Sequence, residues 1–123
     1  MRENDLLERT FLFGVRTLKF LRNLPVSPEY QIIRYQLGKS STSVGANYEE
    51  AQAGLSRADF RNKVRISLKE ARESNYWLRV IAAMHETSEE EIRFLLKESL
   101  ELKSILASIC NKLYVQVDEV KKF

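Results

Sequence analysis

The chain has 123 residues, of which 44% are hydrophobic, 10% aromatic and 30% charged, enough for one globular domain over residues 1–123 and too few for a second core. Two prolines and four glycines exclude collagen-like, linker-rich and many-turned β architectures, which need pre-kinked or left-handed positions at short intervals. A net charge of +3, with a pI near 9.1, defines a partner only if the surplus is concentrated in one place.

The single cysteine, Cys110, excludes an intramolecular disulfide framework and a multi-cysteine zinc site. No apolar run approaches the roughly 18–20 residues that span a bilayer. Charge recurs through Arg9, Arg16 and Lys19, so the N-terminal stretch lacks a signal-peptide pattern. The expected setting is cytoplasmic and soluble, with no membrane partner.

Turn residues and caps interrupt the helical pattern at three places, which predicts four helices in an all-α, antiparallel up-down-up-down bundle. Helix 1 is predicted from Asp5 to Asn23, with Leu7, Phe11, Leu18 and Leu21 on one side, Leu6, Phe13 and Phe20 on another, and Pro25 as its stop. Ser27-Pro28-Glu29 supplies a hydroxyl cap, a proline at the first helical position and a first-turn acid for helix 2. Its apolar stripe runs Tyr30, Ile33, Leu37, Val44, Tyr48, Ala51 and Leu55, with Gly54 as the close. Ser56 with Asp59 opens helix 3, whose stripe is Phe60, Val64, Leu68, Ala71, Asn75 and Leu78, extending to about Met84. Ser88 with Glu91 opens helix 4, where Ile92, Leu95, Ser99, Leu102, Leu106, Ile109 and Leu113 alternate by three and four, as in a bundle seam.

Helix 4 carries a second apolar stripe, Leu96, Leu100, Ala107, Cys110, Tyr114 and Val117, and helix 1 is apolar on more than one side. Either the buried face is wide and some leucines are simply exposed, or helices 1 and 4 form an oligomer interface that includes Leu96, Leu100, Cys110, Tyr114 and Val117. The stretch GKSSTSVGA, residues 38–46, opposes helix propensity and permits close helix approach. Its Gly38-Lys39-Ser40 matches only the end of a phosphate-loop motif, with Ile33 where the first glycine belongs and no preceding strand.

A di-iron bundle needs two Glu-x-x-His pairs, whereas His85 is the one histidine and Ala82 stands three residues before it. No metal or cofactor is expected. Glu49 with Glu50, and Glu70 with Glu73, read as solvated pairs rather than general acids and bases, so no enzyme is specified.

Charge is more informative. Helix 3 carries seven bases and three acids. Arg61, Arg65, Lys69, Arg72, Tyr76 and Arg79 recur at steps of three and four, aligning five cations and one ring along about 27 Å of one face. Such a face can neutralise a nucleic-acid backbone while Tyr76 stacks on an unpaired base. It can equally be a solvated or intersubunit face, partly neutralised by Glu70, Glu73 and acids of neighbouring helices.

Two segments, Gln36-Leu37-Gly38-Lys39-Ser40-Ser41-Thr42-Ser43-Val44-Gly45-Ala46-Asn47-Tyr48-Glu49-Glu50-Ala51 and Glu70-Ala71-Arg72-Glu73-Ser74-Asn75-Tyr76-Trp77-Leu78, resemble the bacterial 23S ribosomal RNA intervening-sequence proteins, also called S23 ribosomal proteins. The resemblance extends over nearly the whole chain. It implies a left-handed bundle assembling into a homopentamer, with no enzymatic activity. Members are encoded within inserts of ribosomal RNA genes, and a related branch is the accessory variability protein of diversity-generating retroelements, which associates with nucleic acid and a reverse transcriptase. Relatives often have two basic residues where this chain has Gly38-Lys39, one cation fewer.

Asn47, Glu50, Glu70 and Trp77 match the family motif. Asn47 and Glu50 are expected to be partly buried, with a partner such as an arginine on helix 3. Trp77 is expected to anchor the bundle or an interface, its indole N–H bonded to a carboxylate or carbonyl. The combined expectation is a non-enzymatic homo-oligomer that binds RNA or DNA through helix 3. A protein-interaction scaffold whose basic face meets an acidic protein partner is the alternative.

Overall fold

The computed structural model describes the backbone of residues 3–84 and 89–121, and side-chain surroundings for 5–84 and 90–113. Four helices follow in order: α1 (Glu3–Leu21), α2 (Pro28–Gln52), α3 (Arg57–Met84) and α4 (Glu89–Lys121). No strand occurs among the described residues.

The helix ends have local causes. After Leu21 the chain tightens, with the N–H groups of Arg22, Asn23 and Leu24 donating to the carbonyls of Lys19, Phe20 and Leu21, and Pro25 prevents continuation. Arg34 reaches back from α2, its Nε donating to Leu21 O at 3.1 Å and its Nη2 to Leu24 O, which satisfies carbonyls that a helix end leaves open. Ser27 is extended (φ −159°, ψ 162°), and its Oγ accepts the Tyr30 N–H at 3.2 Å. A cap of this kind contributes about 1 kcal/mol.

At the far end, α2 stops at Gln52 with Ala53 as its C-cap, and Gly54 closes it as expected, its N–H donating to Ala51 O at 3.2 Å. Leu55 therefore does not close the apolar stripe. The helix that would turn it inward has ended, and it stands 97% exposed. Ser56 Oγ accepts the Asp59 N–H at 3.1 Å and opens α3 as expected. Ser88 and His85 lie outside the described residues.

Cross-helix pairs fix the directions. Gly45 and Gly38 of α2 meet Thr10 and Leu18 of α1, Ser67 and Ser74 of α3 meet Val44 and Ser40 of α2, and Arg9 and Arg16 of α1 meet Glu98 and Glu91 of α4. In each case one number rises as the other falls, so these neighbours are antiparallel. Helices adjacent in sequence pack along their length, whereas α1 and α4 meet over a short run.

The core is built from the predicted seams. Ile33, Leu37 and Val44 of α2, Val64, Ala71 and Leu78 of α3, and Leu95, Leu102 and Leu106 of α4 are all buried. On α1, the Leu6, Phe13 and Phe20 side faces inward together with Leu21, while Phe11 and Leu18 of the other predicted side are exposed.

Residues 38–46 are helical throughout, which removes the phosphate-loop reading. Their small size serves packing: a Cβ on Gly45 would lie 3.0 Å from Thr10 O and 3.1 Å from its carbonyl carbon, so the α1 backbone itself occupies that space. Toward α3 the same segment uses short polar links. Ser74 Oγ donates to Ser40 Oγ at 2.9 Å, and Ser67 Oγ donates to Val44 O at 2.7 Å. A buried hydroxyl so satisfied avoids the cost of an orphaned one.

Candidate nucleic-acid interface

α3 contacts α2 on one side and α4 on the other, and its period divides its polar residues between these two flanks. Lys63, Glu70 and Trp77 follow the α2 side. The row Arg61, Arg65, Arg72 and Arg79 follows the α4 side, with Lys69 and Tyr76 on the outward surface beside it.

Arg65, Lys69, Arg72 and Arg79 are exposed, Tyr76 is 50% exposed and Arg61 is half-buried. Asn62, Arg65, Ile66, Leu68, Lys69 and Arg72 line an open depression of about 660 Å³. The predicted stripe is thus largely exposed, with three of its cations around one depression. Cys110 of α4 lies within its field: burial pushes the thiol up, and Arg65, Arg61 and Arg72 partly pull it back down.

Three acids of α4 pair with α1 rather than with this surface. Arg9 binds Glu98 through Nε at 3.0 Å and Nη2 at 2.5 Å, and its Nη2 also reaches Glu101 at 2.8 Å. Arg16 holds Glu91 with a fork of 2.7 and 3.1 Å while its guanidinium lies 3.6 Å from the Phe94 ring centroid. These bonds hold Glu91 below the usual carboxylate range and push both guanidinium groups higher.

Three α4 carboxylates are thereby turned toward α1. Among the described residues, Arg65, Lys69, Arg72 and Arg79 form no ion pair with any carboxylate. Of the two readings of this face, partial neutralisation by acids of neighbouring helices finds no ion pair at these four cations among the described residues.

The motif residues Asn47, Glu50, Glu70 and Trp77 lie on the other flank, between α2 and α3. Asn47 is half-buried, and its Nδ2 donates to Ser43 O at 2.9 Å. Glu50 corrects two expectations: its side chain is 65% exposed, and its partner is Lys63 at 2.9 Å, not an arginine. That hydrogen bond lowers the Glu50 carboxyl below its ordinary value. Glu70 is half-buried and held above its ordinary value, first by desolvation and then by Glu73, against the pull of Lys69 and Lys39.

Trp77 is half-buried, but its Nε1 is sealed from solvent without an acceptor, so the expected indole bond is not made among the described residues. Its ring instead meets Tyr76 edge-on, with centroids 5.1 Å apart. The motif positions therefore do not join the basic row.

Of the residues proposed for self-association, Leu96 and Cys110 are half-buried against their own core, and Leu100 is 46% exposed. Tyr114 and Val117 fall within α4, but their side chains lie outside the described residues. Further exposed apolar groups lie on α1, at Phe11 (57%), Leu12 and Leu18, and on α2, at Ile32 and Tyr35.

A polar relay adjoining the basic row was missed in sequence. Arg79 Nε donates to Asn75 Oδ1 at 3.1 Å, Asn75 Nδ2 donates to Ser99 Oγ at 3.0 Å, and Ser99 Oγ donates to Leu96 O at 2.9 Å. The available signal was a polar residue at an apolar seam position on each of two facing helices. Among the described residues, no group of three or more His, Cys, Asp or Glu could hold a metal ion. No helix of the described residues is long and apolar enough to cross a membrane.

The family model for the 23S rRNA-intervening sequence protein matches residues 2–108. A similar solved structure is a protein with unknown function from the S23 ribosomal protein family of Bacteroides thetaiotaomicron VPI-5482. It is 35% identical, with a TM-score of 0.76, over 90% of this chain and 99% of that one. No curated protein matches the chain.

Proposed function

The chain belongs to the 23S rRNA-intervening sequence protein family, and from that premise we propose that it is a non-enzymatic helical bundle that binds nucleic acid, chiefly RNA, through the basic face of α3. One observation carries this reading: among the described residues Arg65, Lys69, Arg72 and Arg79 stand side by side without an ion pair, while Glu91, Glu98 and Glu101 of α4 are bound by Arg16 and Arg9. An ion-paired row would have to give up its partners before meeting phosphates. Unpaired cations exchange only small counterions, and release of counterions condensed on the nucleic acid drives the association. Self-association, to the pentamer that the family resemblance implies, would repeat the face and multiply weak contacts. The exposed Phe11, Leu12 and Leu18 of α1 favour such assembly.

Fluorescence anisotropy of the full chain with an RNA hairpin and a DNA duplex, across a salt series and with mass recorded by light scattering, tests the reading. Saturable binding that weakens with salt is expected. The Arg65→Glu, Arg72→Glu double variant should lower affinity for all sequences and reduce the salt slope by about one per lost phosphate contact, with the mass unchanged. Absence of binding at low salt by the intact assembly would refute it and turn attention to an acidic protein partner.

A further inference from the structure

The basic row is not uniform along its length. Arg65, Lys69 and Arg72 are exposed and make no side-chain hydrogen bond or ion pair among the described residues. Arg79, one end of the row, is tethered through Asn75 and Ser99 to the backbone of α4 by the three successive hydrogen bonds of the relay. Asn75 and Ser99 are buried, so solvent does not compete for the bond between them. The aromatic ring next to Arg79 is supported as well: Tyr76 meets the Trp77 ring at 79°, and the Arg79 guanidinium carbon lies 5.8 Å from its centroid.

We infer that Tyr76 and Arg79 form a preorganised corner for an unpaired RNA base, with Asn75 and Ser99 as its positioning residues, while Arg65, Lys69 and Arg72 follow the phosphates. This rests on the proposed nucleic-acid role of α3. A free lysine or arginine loses rotamer freedom on contact and suits a non-directional phosphate charge. A tethered guanidinium has already lost that freedom, and with Nε occupied by Asn75 it presents only its Nη groups, in a fixed plane. Beside an exposed ring, that geometry suits a flat base edge whose face lies on Tyr76. Stacked duplex bases cannot reach such a site, whereas bases splayed from a loop can. Base–aromatic stacking tolerates any base, so the corner selects unpaired structure rather than sequence.

The test compares a hairpin RNA with a fully paired RNA duplex of equal charge, each titrated with the full chain at one salt concentration. The hairpin should bind about tenfold tighter, within the range that one stacked base supports. Tyr76→Leu, at an exposed position that leaves the fold intact by circular dichroism, should bring the two affinities within about twofold. Tyr76→Phe should keep the ratio. Ser99→Ala, which loosens Asn75 without touching RNA, should lower the ratio severalfold and leave the salt slope alone. A merely structural role would not move that ratio. Equal binding of hairpin and duplex by the unaltered chain, or a ratio indifferent to Tyr76→Leu, overturns the corner and spares the basic face. Absence of binding to both overturns the two together.

Discussion

Two glycines of α2 provide a matched test of how closely α1 approaches. Replacing glycine by alanine inside a helix gains about 1 kcal/mol from propensity, and the unfolded chain changes alike at both positions. At Gly38 the new methyl would meet only the ends of the Leu18 and Leu21 side chains, both at 3.6 Å, which is ordinary contact. Gly38→Ala is therefore expected to stabilise by roughly 0.5–1 kcal/mol. At Gly45 the methyl would press on backbone, 3.0 Å from Thr10 O and 3.3 Å from Phe11 N, which cannot rotate away. Overpacking of this kind costs about 1–3 kcal/mol, so Gly45→Ala should end neutral to about 2 kcal/mol less stable. The two variants should differ by about 1–3 kcal/mol, or roughly 3–15 °C in Tm for a domain of this size. Urea midpoints at one fixed protein concentration measure the difference, since self-association makes stability depend on concentration. Equal stabilisation by both substitutions would refute the direct packing of α1 backbone on Gly45.

Thr17 is fully buried, and its hydroxyl has no partner among the described residues, so Thr17→Val should raise stability by about 1 kcal/mol in a urea melt. Arg9→Met should destabilise by about 1–2 kcal/mol, because it strands the mostly buried Glu98 carboxylate, and the loss should shrink in high salt. Arg16 lowers the Glu91 carboxyl in the fold, so its contribution is present above the unfolded carboxylate range and is lost as pH falls through the folded value. Urea midpoints of the unaltered chain and Arg16→Gln should accordingly converge on acidification. Glu70 is raised, which has the opposite sign: its ionisation opposes folding as pH climbs through the carboxylate range. Glu70→Gln should thus be more stable than the unaltered chain at pH 7 and equal to it at about pH 3, by thermal melting.

The helices and their starts were legible because their causes are local. Ser27 and Ser56 cap where expected, and most seam residues of α2, α3 and α4 are buried, with Phe60, Leu68, Ile109 and Leu113 half-buried and Leu55 exposed. On α1, two apolar sides competed, and only the neighbours it packs against decide that Phe13 turns in and Phe11 out. Leu55 was misread because periodicity continues past a helix end that it cannot see. The basic row was legible from spacing alone, but the absence of ion pairs at Arg65, Lys69, Arg72 and Arg79 among the described residues was not. Nothing in the sequence of α4 shows that Glu91, Glu98 and Glu101 face Arg16 and Arg9, because ion pairs across a bundle depend on how the last helix is rotated. Glu50 found a lysine rather than an arginine for the same reason. Asn75 and Ser99 were visible as polar members of apolar seams, but their use in holding Arg79 requires that two helices face each other in register.

The seam between α1 and α4 joins positions 75 to 92 residues apart, and its described side-chain hydrogen bonds run through Arg9 and Arg16. It is the most distant contact in the chain and among the least extensively packed. Loop closure is therefore costly there and is compensated mainly by electrostatics, so this seam should zip last in folding and part first in native-state hydrogen exchange. Under the proposed function ionic strength would act on the molecule twice, since the salt expected to strip a polyanion from α3 should also loosen α1, and opening of the bundle has to be followed in the same titration.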